Sequence, residues 1–148
     1  MNNLDSSEPE NVCRELSNTF QGVLSWKWDD RFQTVLAEFK VDNKAPIHDA
    51  LIRRLDRIWD SSTIETSPEA VRAISNTFGG IIPGQLLFTS DPGRDALVFC
   101  AWWPWGNGET ISIRLAPFYQ KPIGSDRTGQ TQQLKEWFGI RETRRSYP

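Results

Sequence analysis

The stretch Ala96–Trp103 constrains the fold more than any other part of the chain, because every one of its residues is apolar. Side chains of a β-strand alternate between the two faces of a sheet, so a strand without polar positions belongs in the centre of that sheet. Extended to Trp105, the run includes Pro104 and reaches about half the length of a membrane-spanning helix, which needs roughly 20 residues. The pattern therefore predicts a central strand and no membrane segment.

Short turns connect this strand to others. Asp91–Arg94 has Pro-Gly at the middle positions of a type II turn, where glycine accepts the positive φ. Thr110–Ala116 alternates apolar and polar residues, as a strand with one solvated face does. Two earlier runs of strand character are separated by Asp29 and Asp30, which predicts another hairpin. The predicted strands are Val23–Trp28, Phe32–Val41, Gln85–Ser90, Ala96–Trp103 and Thr110–Ala116.

Four other segments carry helix signals. The clearest runs from Pro46 to Trp59, with Asp49 and Arg53 forming an i,i+4 pair on its polar side. Its apolar stripe consists of Ile47, Leu51, Ile52, Leu55, Ile58 and Trp59. The other predicted helices are one capped by Ser7 that stops at Gly22, one capped by Ser67 that stops at Gly79, and one over Thr128–Phe138.

The resulting element order is α-ββ-αα-βββ-α. Because the strands occur in hairpin blocks and do not alternate with helices, this order predicts an α+β fold. We expect a single, mainly antiparallel sheet of about five strands, with the helices packed on one face. A length of 148 residues is near that of one domain, and no linker divides the chain. The expected boundaries are a disordered segment over 1–7, one domain over 8–140 and a flexible basic tail over 141–148.

The composition disfavours several classes of function. A net charge of −2 argues against binding to nucleic acid or to anionic lipid. The first residues lack a basic region followed by an apolar stretch, so we expect a cytoplasmic protein. Cys13 and Cys100 lie far apart and are expected to be buried free thiols. With one histidine and no clustered ligands, neither a metal site nor a cofactor is predicted.

His48, the only histidine, is the first candidate for acid–base chemistry. It lies in the first turn of the Pro46 helix, where half-burial against Trp59 accounts for it without a catalytic role. No serine or cysteine has the context of a nucleophile, such as Gly-x-Ser-x-Gly. We therefore expect His48 to be dispensable for activity.

The tryptophans at the end of the central strand are harder to explain by packing alone. Trp102 and Trp103 point to opposite faces of the strand, so one core cannot hold both. Trp105 follows in the turn and has no periodic reason to be buried. These indoles could form an exposed anchor for a partner. They could equally form a covered edge of the core, beneath the terminal helix or an earlier tryptophan-containing strand.

These observations favour a non-enzymatic protein that binds another protein through the aromatic hairpin, as an adaptor, regulator, chaperone or toxin-immunity protein does. A homodimer is one form that such binding could take. No catalytic residue is predicted. The predicted binding residues are Trp102, Trp103, Trp105, Trp26, Trp28 and Arg114, the last being an outward-facing strand residue near the hairpin.

Two alternatives remain open at this point. The first is a small-ligand-binding protein or enzyme with a pocket between sheet and helices, lined by Trp26, Trp28, Trp103 and Trp105. A concave, partly polar cavity beside these indoles would favour it, whereas a flat exposed patch would favour protein binding. The second alternative is nucleic-acid binding through the basic tail, which the net charge disfavours and which predicts strong dependence on salt.

Overall fold

The computed structural model describes the backbone of residues 3–120 and 127–140 and the side chains of residues 8–120 and 129–140. None of the helices in these ranges is long and apolar enough to span a membrane. The elements are α1 (Asn3–Thr19), β1 (Lys27–Asp29), β2 (Thr34–Lys40), α2 (Lys44–Leu55), β3 (Arg57–Trp59), α3 (Glu69–Thr77), β4 (Leu86–Thr89), β5 (Ala96–Pro104), β6 (Thr110–Tyr119) and α4 (Arg127–Trp137).

The strands of the described ranges form one antiparallel sheet in the order β1-β2-β6-β5-β4-β3. The α+β class and the single antiparallel sheet are confirmed, with six strands where about five were predicted. β5 lies between β6 and β4, and its residues from Ala96 to Trp102 are all buried. The central position predicted for this strand is therefore confirmed.

The additional strand is β3, which the sequence assigned to the end of the second helix. α2 ends at Leu55 because Asp56 adopts a left-handed conformation, with a φ of 84°, at its C-terminus. Ile58 and Trp59, predicted to extend the helical stripe, instead pair with β4 at the edge of the sheet. The Trp59 indole donates a 3.0 Å hydrogen bond to Thr89 Oγ1 of β4. The prediction was wrong here because two adjacent apolar residues fit a helix face as well as a strand.

The two faces of β5 are covered by different helices. On one face, Trp102 packs against His48 of α2, with ring centroids 5.6 Å apart, and α1 packs against both α2 and β5. Phe99 and Trp103 point to the opposite face and contact Phe78, which directly follows α3. Helices were predicted on one face only. The second face also needs cover because its β5 residues are equally apolar.

The first helix starts earlier than the sequence indicated. α1 includes residues 3–7, which were expected to be disordered, so the predicted cap Ser7 lies within the helix. Pro9 stands in its second turn, where proline lacks the amide that would bond to residue 5. Glu8 forms a 3.2 Å ion pair with Arg94, which ties this turn to the loop before β5. Residues 1–2 and the predicted basic tail, 141–148, lie outside the described residues.

Pairing between β2 and β6 stops before β6 ends. Val35 pairs with Leu115, and two residues further along β6 stands Pro117, which has no N–H for a ladder hydrogen bond. The chain preceding β2 leaves the sheet at this level, since Gln33 adopts a left-handed φ of 57°. Residues 116–119 of β6 therefore pair with β5 on one edge and, among the described residues, with no strand on the other.

The left-handed residue at the end of α2 gives a test of the helix boundary. Replacing Asp56 with glycine should stabilise the protein by up to about 1 kcal/mol, because glycine adopts a positive φ without a steric penalty. The matched control is Asp49→Gly, an exposed position inside α2, which should destabilise it by about 1 kcal/mol. Urea unfolding measures both variants. Destabilisation by both substitutions would contradict the position of the boundary.

The two cysteines are free and buried, Cys13 on α1 and Cys100 on β5. Removal from water disfavours the thiolate and raises the pKa of both thiols. We expect native protein to react very slowly with a disulfide reagent, because the attacking species is the thiolate. In guanidinium chloride without reductant, the same titration should detect two thiols. Fewer than two would contradict the free state, and rapid reaction of the native protein would contradict burial.

Candidate functional site

The turn between β5 and β6 is fixed by hydrogen bonds of its own. The Trp105 amide donates to the Thr110 carbonyl at 2.8 Å, and the Gly108 amide donates to the Trp105 carbonyl at 3.3 Å. Asn107 Oδ1 accepts from the amides of Glu109 and Thr110 at 2.8 and 3.2 Å. Gly108 supplies the positive φ of 75° that closes the turn. The tip of this hairpin is therefore an ordered element that holds its side chains in defined positions.

Trp105 is the exposed indole of this hairpin. The residue is 43% exposed, while its Nε1 donates a 2.9 Å hydrogen bond to Ser112 Oγ. Ser112 pairs with Trp103 in the sheet, so Trp105 and Trp103 both belong to the face that contacts Phe78. The indole is thus held at its polar edge and accessible over much of its remaining surface.

The other two tryptophans of the segment differ sharply from Trp105. Trp102 is 4% exposed and makes edge contacts with Phe39 and His48 in the core on the opposite face. Trp103 is half-buried, with its ring centroid 5.2 Å from that of Phe78. The segment therefore combines a core residue, a residue at the margin of the core and an exposed residue.

Trp26 and Trp28 lie elsewhere, against α4. The Trp26 ring makes an edge contact with the Phe138 ring, with centroids 4.8 Å apart. The buried Nε1 of Trp26 has no hydrogen-bond partner among the described residues. Trp28 donates from Nε1 to Asp30, and Lys135 Nζ lies 5.0 Å from its ring centre. The strand register puts Trp28 on the face opposite to Trp103. The four tryptophans proposed for one pocket are thus divided between the two faces of the sheet.

Arg114 shares a face with Trp103 but is held by the β1–β2 hairpin. Its Nε donates to Asp29 Oδ2 at 2.7 Å, and its guanidinium carbon lies 5.2 Å from the centre of the Phe32 ring. The Arg114 and Asp29 side chains are 23% and 11% exposed. Breaking a pair this buried leaves an uncompensated charge, so Arg114 has a clear structural role.

His48 has the position of a packing residue. Its ring makes edge contacts with Phe88 and Trp102 at 5.3 and 5.6 Å, and Asp49 is 3.9 Å from Nδ1. The sequence predicted packing against Trp59, which is instead in β3. Within the described side chains, no group of three His, Cys, Asp or Glu residues is arranged to hold a metal ion.

A cleft of about 360 Å³ opens beside residues 116–119 of β6, and we call it the β6-edge cleft. It lies where β2 has ended, between the turn before β2, α3 and α4. Its lining residues are Phe32, Gln33, Ile74, Thr77, Phe99, Ala116, Pro117, Phe118, Tyr119, Gln130, Thr131 and Leu134. None is a tryptophan. Sequence reasoning missed this cleft because its walls come from five separate segments, and the one local signal was a proline inside a strand pattern.

Neither the family models, nor the curated proteins, nor the solved structures compared with this chain include a match to it.

Proposed function

We propose that this protein acts by binding another protein, with the β5–β6 hairpin as the contact and Trp105 as its anchor. The observation that carries the proposal is the 43% exposure of Trp105 on a turn fixed by hydrogen bonds. Exposing a large aromatic ring favours association, and indoles are prominent among the residues that dominate binding energy at interfaces.

Preorganisation supports the same proposal. The hydrogen bond from Trp105 Nε1 to Ser112 Oγ restricts the indole before any partner arrives. A side chain that is already ordered loses less conformational entropy on binding, so more of its contact energy contributes to affinity. Val23 and Ile82 are also exposed. Their side chains have no polar atoms, so no side-chain hydrogen bond can restrain them as it restrains Trp105.

The residues around the indole form a mixed polar rim. Glu38 pairs with Ser112 and Lys40 pairs with Thr110, so both charged side chains lie on the Trp105 face of the sheet. Both are exposed. A central aromatic residue with a polar surround is the usual composition of a protein interface. The expected partner surface has an apolar pocket for the indole and charges of both signs around it.

The alternative of a tryptophan-lined ligand pocket has less support. Trp28 and Trp103 lie on opposite faces of the sheet, so the four indoles cannot surround one ligand. Nucleic-acid binding is still disfavoured by the net charge of −2. Protein binding is therefore the function that the geometry supports best.

Replacing Trp105 with alanine should separate binding from folding. We expect a stability loss well below that of a core indole, because the lost interactions are the hydrogen bond to Ser112, worth about 1 kcal/mol, and the contacts of a residue that is 43% exposed. Partner affinity should fall by about 2 kcal/mol or more, as at interface anchors. Urea unfolding measures the first quantity. Capture from lysate of the native host, followed by calorimetry with the purified partner, measures the second.

Two control variants make this result interpretable. Trp102→Ala removes an indole from the core and should cost about 3–5 kcal/mol of stability. Ile82→Ala removes an exposed apolar side chain outside the hairpin and should leave capture unchanged. Sedimentation of wild type and Trp105→Ala shows whether the partner is a second copy. A stability loss for Trp105→Ala as large as that for Trp102→Ala would contradict the proposal, as would equal partner capture.

A further inference from the structure

The β6-edge cleft meets β6 at its edge. Ala116, Pro117, Phe118 and Tyr119 all line it, although successive side chains of a strand point to opposite faces. Four consecutive residues can border one cleft only if it reaches the strand from the side, where the backbone is accessible. This is the side on which β2 pairs with the first half of β6.

The backbone groups that face the cleft follow from the hydrogen-bond pattern. The Gln120 amide bonds to the Asp95 carbonyl and the Thr110 carbonyl accepts from Trp105, so the even-numbered residues of β6 direct their backbone groups toward β5. Pro117 and Tyr119 therefore direct theirs toward the cleft. The Pro117 carbonyl, the Tyr119 amide and the Tyr119 carbonyl have no strand partner among the described residues.

The lining of the cleft indicates which kind of chain fits. The described residues that line it have side chains that are apolar or carry uncharged amides and hydroxyls, and none of them is Asp, Glu, Lys, Arg or His. A charged group entering such a site would lose hydration, and none of these lining side chains carries an opposite charge to compensate it. A volume of about 360 Å³ is near the lower end of the range for ligand-binding clefts, so the cleft can hold a few side chains of a bound peptide.

We propose that the β6-edge cleft binds a short, extended, uncharged segment of a partner polypeptide, which adds an antiparallel strand to β6. The segment continues the position of β2 and forms three backbone hydrogen bonds, two with Tyr119 and one to the Pro117 carbonyl. Main-chain bonds give affinity in this mode of recognition, and pockets for alternate side chains give specificity. An apolar side chain of the segment enters between Phe32, Phe118 and Leu134.

This site is separate from the hairpin anchor. Thr110 and Pro117 are seven residues apart on β6, which corresponds to roughly 23 Å at the rise of a strand. The proposal does not rest on Trp105, and Trp105→Ala should leave binding at the cleft unchanged.

The probe is an array of blocked pentapeptides, acetyl-Thr-X-Thr-Z-Thr-amide, in which X and Z are Leu, Ile, Val or Phe. We expect members of the array to bind the full chain and to slow hydrogen exchange of the Tyr119 amide at least about tenfold, because that amide becomes hydrogen-bonded. N-methylation of alternate residues supplies the matched chemical control. Methylation of one alternating set should weaken binding at least about tenfold, and methylation of the other set should not, since strand hydrogen bonds have a period of two.

Two pairs of variants test the location. Thr131→Glu puts a charge in the lining of the cleft and should weaken binding at least about tenfold, whereas Gln132→Glu adds the same charge to the next residue of α4, outside the lining. Thr77→Trp should fill the cleft and so weaken peptide binding. Asn76→Trp, at the preceding residue of α3 outside the lining, is its control. Urea unfolding checks that each variant is folded.

The outcomes are distinct. Binding that depends on alternate amides, protects Tyr119 and is lost in Thr131→Glu but not in Gln132→Glu supports strand addition. Binding that tolerates methylation at every residue overturns it in favour of an apolar pocket alone. Absence of binding by every member of the array also overturns it, as does equal binding by Thr131→Glu and Gln132→Glu.

Discussion

Cover on both faces of β5 is the requirement on which the rest of the structure depends. A strand that is apolar at every position from Ala96 to Trp103 is stable only if water is excluded from both sides. α1 and α2 meet this requirement on the Trp102 face, and α3 with Phe78 meets it on the Phe99 face. On the Phe99 face, the residues that Phe78 covers extend only as far as Trp103. Trp105, beyond the end of the strand, therefore projects past the helices and reaches solvent.

A similar limit shapes the opposite end of β6. Pro117 cannot donate to a neighbouring strand, and Gln33 turns the chain away at the same level. Among the described residues, this end of β6 therefore has no strand on the β2 side, while β5 continues on its other side. Gln33 also accepts a hydrogen bond from Thr131 at 3.3 Å, which holds α4 close to this gap. The β5–β6 hairpin and the β6-edge cleft thus lie at the two ends of β6, where neighbouring elements no longer cover the strand.

Local patterns in the sequence were sufficient to predict most of the fold, but they predicted little of the candidate site. Alternation and turn residues identified β5, β6 and their antiparallel pairing, because these depend on neighbours in the chain. The strand β3 was missed since Ile58 and Trp59 satisfy helical spacing, and only pairing with β4 decides between the two structures. The exposure of Trp105 could be expected from its place in a turn. The separation of Trp28 from Trp103 depends on strand order, and no local pattern encodes strand order.

The register of the sheet also has a consequence for synthesis on the ribosome. Val35 pairs with Leu115, which emerges 80 residues later, and β3 pairs with β4 rather than with the nearer β2. β1 and β2 can pair with each other early, but an isolated two-stranded hairpin is marginally stable in water. The apolar side chains of β2 and α2 are therefore not fully buried until β5 and β6 have been synthesised. Loop closure over such distances slows folding, and apolar surface that is exposed before β6 pairs favours aggregation.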